Sequence, residues 1–316
     1  MTKQLSEEKF KFSKLRTPLI MMAIFWVVAV VLWQTTGKIF YVFNFGYIGT
    51  AIGIGGGIYN VLPKKKKYQG RRLSQLLVGV YMLVFLGFIK FENMQIEGFF
   101  LYLLAGFFGG AVIHFVVKVA LALFINRGWC SWCCWTAMIL DYLPFSRNKQ
   151  GRLSTRWGNL RYIHFALSLG LILALWFGFG YRVQTGGGTT ELYWLIAGNA
   201  LYYAIAITLA FILKDNRAFC KYVCPITAML KVTSRFSLFK LAGDAEKCND
   251  CGACDKICPM DIRITDYIKN GQRVLSTECI LCFECENVCL PGALKANWGF
   301  DCGTKELLNM RKSPTK

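Results

Sequence analysis

Cys248-Asn249-Asp250-Cys251-Gly252-Ala253-Cys254-Asp255-Lys256-Ile257-Cys258-Pro259 is followed by Cys279-Ile280-Leu281-Cys282-Phe283-Glu284-Cys285-Glu286-Asn287-Val288-Cys289, with Pro291 just beyond. Both runs have the spacing Cys-x2-Cys-x2-Cys-x3-Cys, a ligand set for two [4Fe–4S] clusters in which the fourth cysteine of each run binds the other run's cluster. The expected sets are therefore Cys248, Cys251, Cys254 and Cys289 for one cluster, and Cys279, Cys282, Cys285 and Cys258 for the second. Structural disulfides would require an oxidising compartment and leave the doubled spacing unexplained. The segment 244–292 reads as a small α+β dicluster ferredoxin domain.

Outward from this segment the chain changes character. Of its 316 residues, 55% are hydrophobic and 15% aromatic, more than a soluble domain of this size carries. Apolar runs approaching or exceeding the roughly 20 residues that span a bilayer fall at 18–35, 43–62, 73–89, 98–124, 160–180 and 191–213. The expected fold is an all-α polytopic membrane bundle of about six transmembrane helices over 18–243. A basic arm (1–17) precedes it, and the ferredoxin domain and a tail (293–316) follow.

Lys9, Lys11, Lys14 and Arg16, then Lys64 to Lys67 with Arg71 and Arg72, then Arg127, Arg147, Lys149, Arg152 and Arg156 fall on one side of this topology. The opposite loops carry only Lys38, Lys90 and Arg182. Positively charged loops stay inside, so both termini and the ferredoxin domain are expected in the cytoplasm of a bacterial inner membrane. No small-x-small cleavage site follows the first apolar run, so it is expected to be retained. The net charge of +19 is explained by topology and anionic lipid head groups rather than by nucleic acid.

An internal repeat supplies the next constraint. Asn126-Arg127-Gly128-Trp129-Cys130-Ser131-Trp132-Cys133-Cys134 matches Asn216-Arg217-Ala218-Phe219-Cys220-Lys221-Tyr222-Val223-Cys224, and Thr136-Ala137-Met138 matches Thr227-Ala228-Met229. Each copy follows an inward-running span, as in parallel membrane repeats. If each Cys-x3-Cys lies within one helix, both its sulfurs share a face. Cys130, Cys134, Cys220 and Cys224 then form a shared metal or Fe–S site, a set of redox thiols, or small apolar packing groups. Cys133 and Cys302 have no counterparts and are read as structural.

Several spans with paired Cys-x3-Cys motifs ahead of a dicluster ferredoxin resemble the membrane ferredoxins of the NapH, NosR and CcoG type over residues 73–292. Cys220 and Cys224-Pro225 carry the family motif fully, whereas Trp135 replaces the proline of the first copy. The resemblance is greatest to the NapH type. No outer loop is long enough for the flavin domain of NosR-type proteins, and about two dozen residues follow the ferredoxin, where CcoG-type proteins carry a further domain. The resemblance implies an electron-transfer component of a quinol-linked oxidoreductase, with quinone and partner redox subunits of a larger respiratory complex. The alternatives are a copper-binding or copper-reducing protein fed by the clusters, or a structural anchor for a reductase.

Only two histidines are available as proton acceptors for quinone chemistry. His164, early in the fifth span, and His114, within the fourth, are the candidates, because ionisable groups inside a membrane mark function. The bland readings are an interfacial hydrogen bond for His164 and a Lys118 that extends beside His114 towards the head groups. Helix rise puts His114 at about 15 Å and His164 at about 6 Å from the inner ends of their spans, a mismatch that disfavours a shared haem. Thr185 to Thr190 reads as a flexible turn. Gly53-x3-Gly57 and Gly106-x3-Gly110 read as close helix contacts.

Overall fold

The computed structural model describes residues 12–145, 151–183, 188–302 and 306–311. Among the sequence features above, Lys9, Lys11, Arg147, Lys149 and residues 185–187 of the 185–190 turn lie outside the described residues. The chain forms two compact units, Met1–Val78 and Gly79–Lys316.

The first unit is built on a helical hairpin. Helix α1 (Arg16–Thr36) ends at Gly37, whose φ of 69° lets its N–H cap the Trp33 carbonyl. Helix α2 (Phe40–Val61) returns along α1, and glycine makes the close approach possible. A Cβ on Gly49 would lie 2.3 Å from Phe25 Cβ, and one on Gly53 would lie 3.0 Å from Met22 Cβ. The opposite side of α1 stays apolar and open, with Ile24, Val27 and Val31 exposed, the surface expected of a lipid-facing helix. Helix α3 (Tyr68–Tyr81) begins against α2, where Gly70 leaves no room for a side chain beside Tyr59.

The second unit continues α3 as a π-helical stretch, Met82–Ile89, and adds α4 (Ile96–Leu104), α5 (Gly110–Ile125), α6 (Gly128–Trp132) and α7 (Trp135–Leu140). Then come α8 (Thr155–Gly158), α9 (Leu160–Leu173, loosening to π-helix over Ala174–Gly178), α10 (Thr189–Leu213), α11 (Ala218–Tyr222) and α12 (Ile226–Ser234). The cysteine-rich end is β1 (Phe239–Gly243), α13 (Ala253–Ile257), α14 (Ile264–Lys269), α15 (Glu284–Val288) and β2 (Leu294–Trp298), with β1 and β2 antiparallel and Leu241 opposite Ala296.

Four helices are long and apolar enough to cross a membrane, Arg16–Thr36, Lys64–Ile89, Thr155–Gly178 and Thr189–Leu213, with Gly110–Ile125 a shorter apolar helix. They fall on the expected spans 18–35, 73–89, 160–180 and 191–213. Helix α2, on the expected span 43–62, has 22 residues, but its six glycines and Asn44 and Asn60 dilute its apolar character.

The stretch expected as one long span, 98–124, is two helices. Gly106 takes a φ of 67°, ending α4 in a conformation that glycine tolerates. Helix α5 then restarts with the Glu92 carboxylate accepting the Ala111 N–H at 2.7 Å, a negative charge at a helix N-terminus. Hydropathy alone could not register this break, because Ala105 to Gly109 is as apolar as its flanks.

Candidate iron–sulfur centres

The cysteine-rich segment repeats its backbone as well as its sequence. Asp250 and Gly252 in the first run, and Leu281 and Phe283 in the second, all take φ between 48° and 64°. Left-handed non-glycine residues are uncommon, and here they recur at matching positions between the first three cysteines of each run. They turn the chain back so that one cavity collects sulfurs from both runs. One cavity of about 340 Å³ is lined by Cys258, Cys279, Cys282 and Cys285, walled by Met260, Ile262 and Ile280. A second of about 320 Å³ is lined by Cys248, Cys251, Cys254 and Cys289, beside Ile268 and Pro291.

The donor chemistry of these cavities fits iron–sulfur clusters. Burial pushes the Cys254 and Cys279 thiols up to about 12, so without metal both are neutral, and iron must displace their protons to bind thiolate. The Leu281 N–H works against that rise at Cys279, as the Ile262 and Met260 N–H groups do at Cys258. Among the described residues no three His, Cys, Asp or Glu side chains close on a single ion.

The membrane cysteines depart from the sequence expectation in their local geometry. Each Cys-x3-Cys is not one helical face: α6 ends at Cys133, and Cys134 is extended (ψ 123°) before α7 begins. Cys220 likewise lies in α11, and Cys224 follows the end of that helix at Val223, just before Pro225 and α12. Trp135 is the first residue of α7, whereas Pro225 is the cap just before α12. The two copies nevertheless bring the four thiols within electrostatic reach of one another. Cys224 interacts with Cys220, Cys130 and Cys134, and Cys220 with Cys134 and Cys130.

Two arginines from the repeat flank these thiols. Cys130, Cys220 and Cys224 act on the Arg127 guanidinium, and Cys220 and Cys134 on that of Arg217. Arg217 crosses between copies to donate to the Cys130 carbonyl at 3.1 Å and to Asp141 at 2.6 Å. Arg127 Nε and Nη2 are buried without an acceptor among the described residues. Buried donors seldom stay unpaired, and acceptor sulfurs of a cluster among these thiols would satisfy them.

The same motifs anchor the ferredoxin segment. The Arg127 N–H donates to the Cys279 carbonyl at 3.3 Å, and Trp132 Nε1 to the Leu281 carbonyl at 3.0 Å. Glu278, next to Cys279, receives Arg127, Arg161 and Lys231 at 2.8 Å and Arg152 at 3.2 Å. Burial alone would push the Glu278 carboxyl up, but Arg152, Arg127, Arg161 and Lys231 together hold it well below the usual carboxylate range. Lys221 pairs with Asp215 and Asp261 at 2.5 Å each. Cys130 shares one buried cluster with Cys254, Cys258, Cys279, Cys282 and Cys285.

Several side chains thus do other work than the sequence reading assigned. Arg127 and Arg152, counted as topology charges, are buried and paired with Glu278. The repeated Asn-Arg dipeptide was the signal for Arg127 and Arg217; nothing in the sequence marked Glu278. Lys118 does not extend to the head groups: it is buried, with Nζ 4.9 Å from the Phe115 ring centre and 5.0 Å from that of Trp135. Trp129, Trp135 and Phe219 are buried.

The histidines are placed apart. His114 packs among Trp129, Trp135 and Phe115. His164 hydrogen-bonds the Val223 carbonyl at 2.9 Å and lies 3.4 Å from the Tyr202 hydroxyl. Cys133 is buried and Cys302 exposed.

Comparison with known proteins adds to this geometry. A "4Fe-4S dicluster domain" model matches residues 240–290, and a "4Fe-4S binding domain" model matches twice, at 102–152 and 198–242. The second model thus covers both membrane cysteine pairs. An uncharacterized protein of Methanocaldococcus jannaschii is 30% identical over 71% of this chain and 85% of its own length. The putative electron transport protein YccM of Escherichia coli is 27% identical over 57% of this chain and 53% of its own. The ferredoxin-type protein NapH of Haemophilus influenzae is 26% identical over 59% of this chain and 67% of its own. No solved structure matches the chain. Together the matches and the apolar helices make this an iron–sulfur electron-transfer protein of membranes.

Proposed function

The chain belongs to the NapH-like family of ferredoxin-type membrane proteins, and from that premise we propose that it carries electrons between the membrane quinol pool and a partner redox subunit. Cys248, Cys251, Cys254 and Cys289 hold one [4Fe–4S] cluster, Cys258, Cys279, Cys282 and Cys285 a second, and Cys130, Cys134, Cys220 and Cys224 a third. When bound, the clusters supply one-electron carriers; the protein supplies their spacing, burial and charge environment. The bundle has six spans, counting α2 and the broken 98–124 stretch, and sits in the cytoplasmic membrane with both termini and the ferredoxin segment inside. His164, bonded to the carbonyl next to Cys224, is the first candidate base for quinol protons; His114, enclosed by aromatic rings, is secondary.

The observation that carries the reading is the pair of cavities, each lined by three cysteines of one run and the fourth of the other. The Arg127 and Trp132 bonds to the Cys279 and Leu281 carbonyls support a continuous route from the membrane repeats into the ferredoxin.

Anaerobic iron and sulfide analysis with EPR tests the reading. About twelve irons per chain are expected in the parent and about eight in Cys130→Ser/Cys134→Ser or Cys220→Ser/Cys224→Ser, at four per cluster. Eight in all three would remove the membrane cluster from the proposal. Fewer than eight in the parent would remove the dicluster assignment.

A further inference from the structure

Glu97 is an acid inside the helical bundle that the iron–sulfur reading leaves without a role. Its Oε1 accepts the Ser168 hydroxyl at 2.6 Å and lies 3.4 Å from the Tyr202 hydroxyl. Its Oε2 is buried with no hydrogen-bond partner among the described residues, and no ion pair to Glu97 forms there. Tyr202 in turn lies 3.4 Å from His164 Nε2, and His164 Nδ1 meets the Val223 carbonyl at 2.9 Å. Four helices supply this line: α4 (Glu97), α9 (His164 and Ser168), α10 (Tyr202) and, through Val223, the end of α11 beside Cys224. A buried acid oxygen with an open lone pair is costly and calls for a role.

The proton count along the line is specific. The Val223 carbonyl only accepts, so His164 Nδ1 carries the proton and Nε2 is bare. The single Tyr202 proton therefore lies between two acceptors, Glu97 Oε1 and His164 Nε2. One added proton removes the competition for the Tyr202 hydrogen: placed on Glu97 it leaves Tyr202 free to donate to His164, and moved to His164 Nε2 it lets Tyr202 donate to Glu97. The line is one proton short of saturation, the property of a proton acceptor and relay.

We propose that Glu97, Tyr202 and His164 form the proton-accepting chain of a quinol site, with Glu97 Oε2 receiving the hydroxyl proton of a membrane hydroquinone. This deepens, and rests on, the quinol reading above. Oxidising one hydroquinone to quinone breaks two O–H bonds and releases two electrons and two protons. The electrons go one at a time to the iron–sulfur centres. The first proton passes to Tyr202 once the Glu97 carboxyl has turned its protonated oxygen towards that hydroxyl, moves on to His164 Nε2, and must leave His164 before the second follows. Ser168 positions the carboxylate without exchanging a proton.

The test uses the full chain with clusters loaded, anaerobically, with tetramethylhydroquinone as the probe and dithionite as a reductant that bypasses any quinol site. Glu97→Gln, which keeps the hydrogen-bonding shape and loses the titrating group, should slow hydroquinone-driven cluster reduction about 100-fold, and Tyr202→Phe about 10-fold. Glu97→Asp should recover most of the rate, and dithionite should reduce all variants to the parent's EPR amplitude. Infrared difference spectra should show a protonated-carboxyl band on hydroquinone addition that Glu97→Gln removes. If Glu97→Gln reacts at the parent's rate, or the band persists in it, the proton chain is overturned while the quinol reading stands. If the parent is reduced by dithionite but not by the hydroquinone, the quinol reading fails and takes the chain with it.

Discussion

The ferredoxin cavities and the membrane thiols are both sets of four cysteines, yet they are assembled by opposite means. Each ferredoxin cavity draws its sulfurs from two short runs whose left-handed residues recur in register. The membrane set draws two thiols from each of two distant helix breaks and is flanked by Arg127 and Arg217. The first kind of site is written into local backbone conformation. The second exists only once the bundle has packed, and its charge environment comes from the repeat itself.

Exchange of the crossing cysteines breaks the comparison most severely. Cys258→Ser/Cys289→Ser touches both cavities at once and should cost about eight irons per chain, against about four for either membrane pair. Iron analysis that finds equal losses would mean that the two kinds of site are not separable. Next in size is Glu278→Ala, which leaves Arg127, Arg152, Arg161 and Lys231 without their shared carboxylate. Removing one partner of a buried ion pair costs about 3–5 kcal/mol, so limited proteolysis should cut the ferredoxin segment far faster than in the parent.

Arg217→Met sharpens the contrast in charge. Loss of a cation beside Cys220 and Cys134 should lower the membrane centre's potential by on the order of tens of millivolts. Redox-titrated EPR should find the two ferredoxin signals in place. The smallest effect belongs to the ferredoxin surface: Lys247 and Asp244 form an exposed pair, and Asp244→Asn should leave the melting temperature unchanged.

The same contrast explains what the sequence could disclose. Cysteine spacing carried the crossed grouping of the ferredoxin sulfurs, because a run such as Cys279 to Cys289 is short enough for its spacing to fix its shape. The repeat carried the pairing of Cys130 with Cys220, but not the helix ends at Cys133 and Val223, since neither residue is a helix breaker. Arg127 and Arg152 passed as topology charges because a lone basic residue looks alike whether it faces solvent or a buried carboxylate. Glu278 and Glu97 were invisible for a related reason: their partners lie more than seventy positions away in sequence or on other helices.

The Glu278 junction bears on how electrons would pass between the membrane domain and the ferredoxin segment. Carboxylate, guanidinium and ammonium groups buried together are screened little by salt, and main-chain bonds to Cys279 and Leu281 reinforce them. The ferredoxin segment is therefore no tethered shuttle that must swing between donor and acceptor. On the proposed reading, an electron passing between the ferredoxin centres and a cluster at the membrane cysteines would cross a distance set once, at folding, and neither ionic strength nor solvent viscosity should gate it.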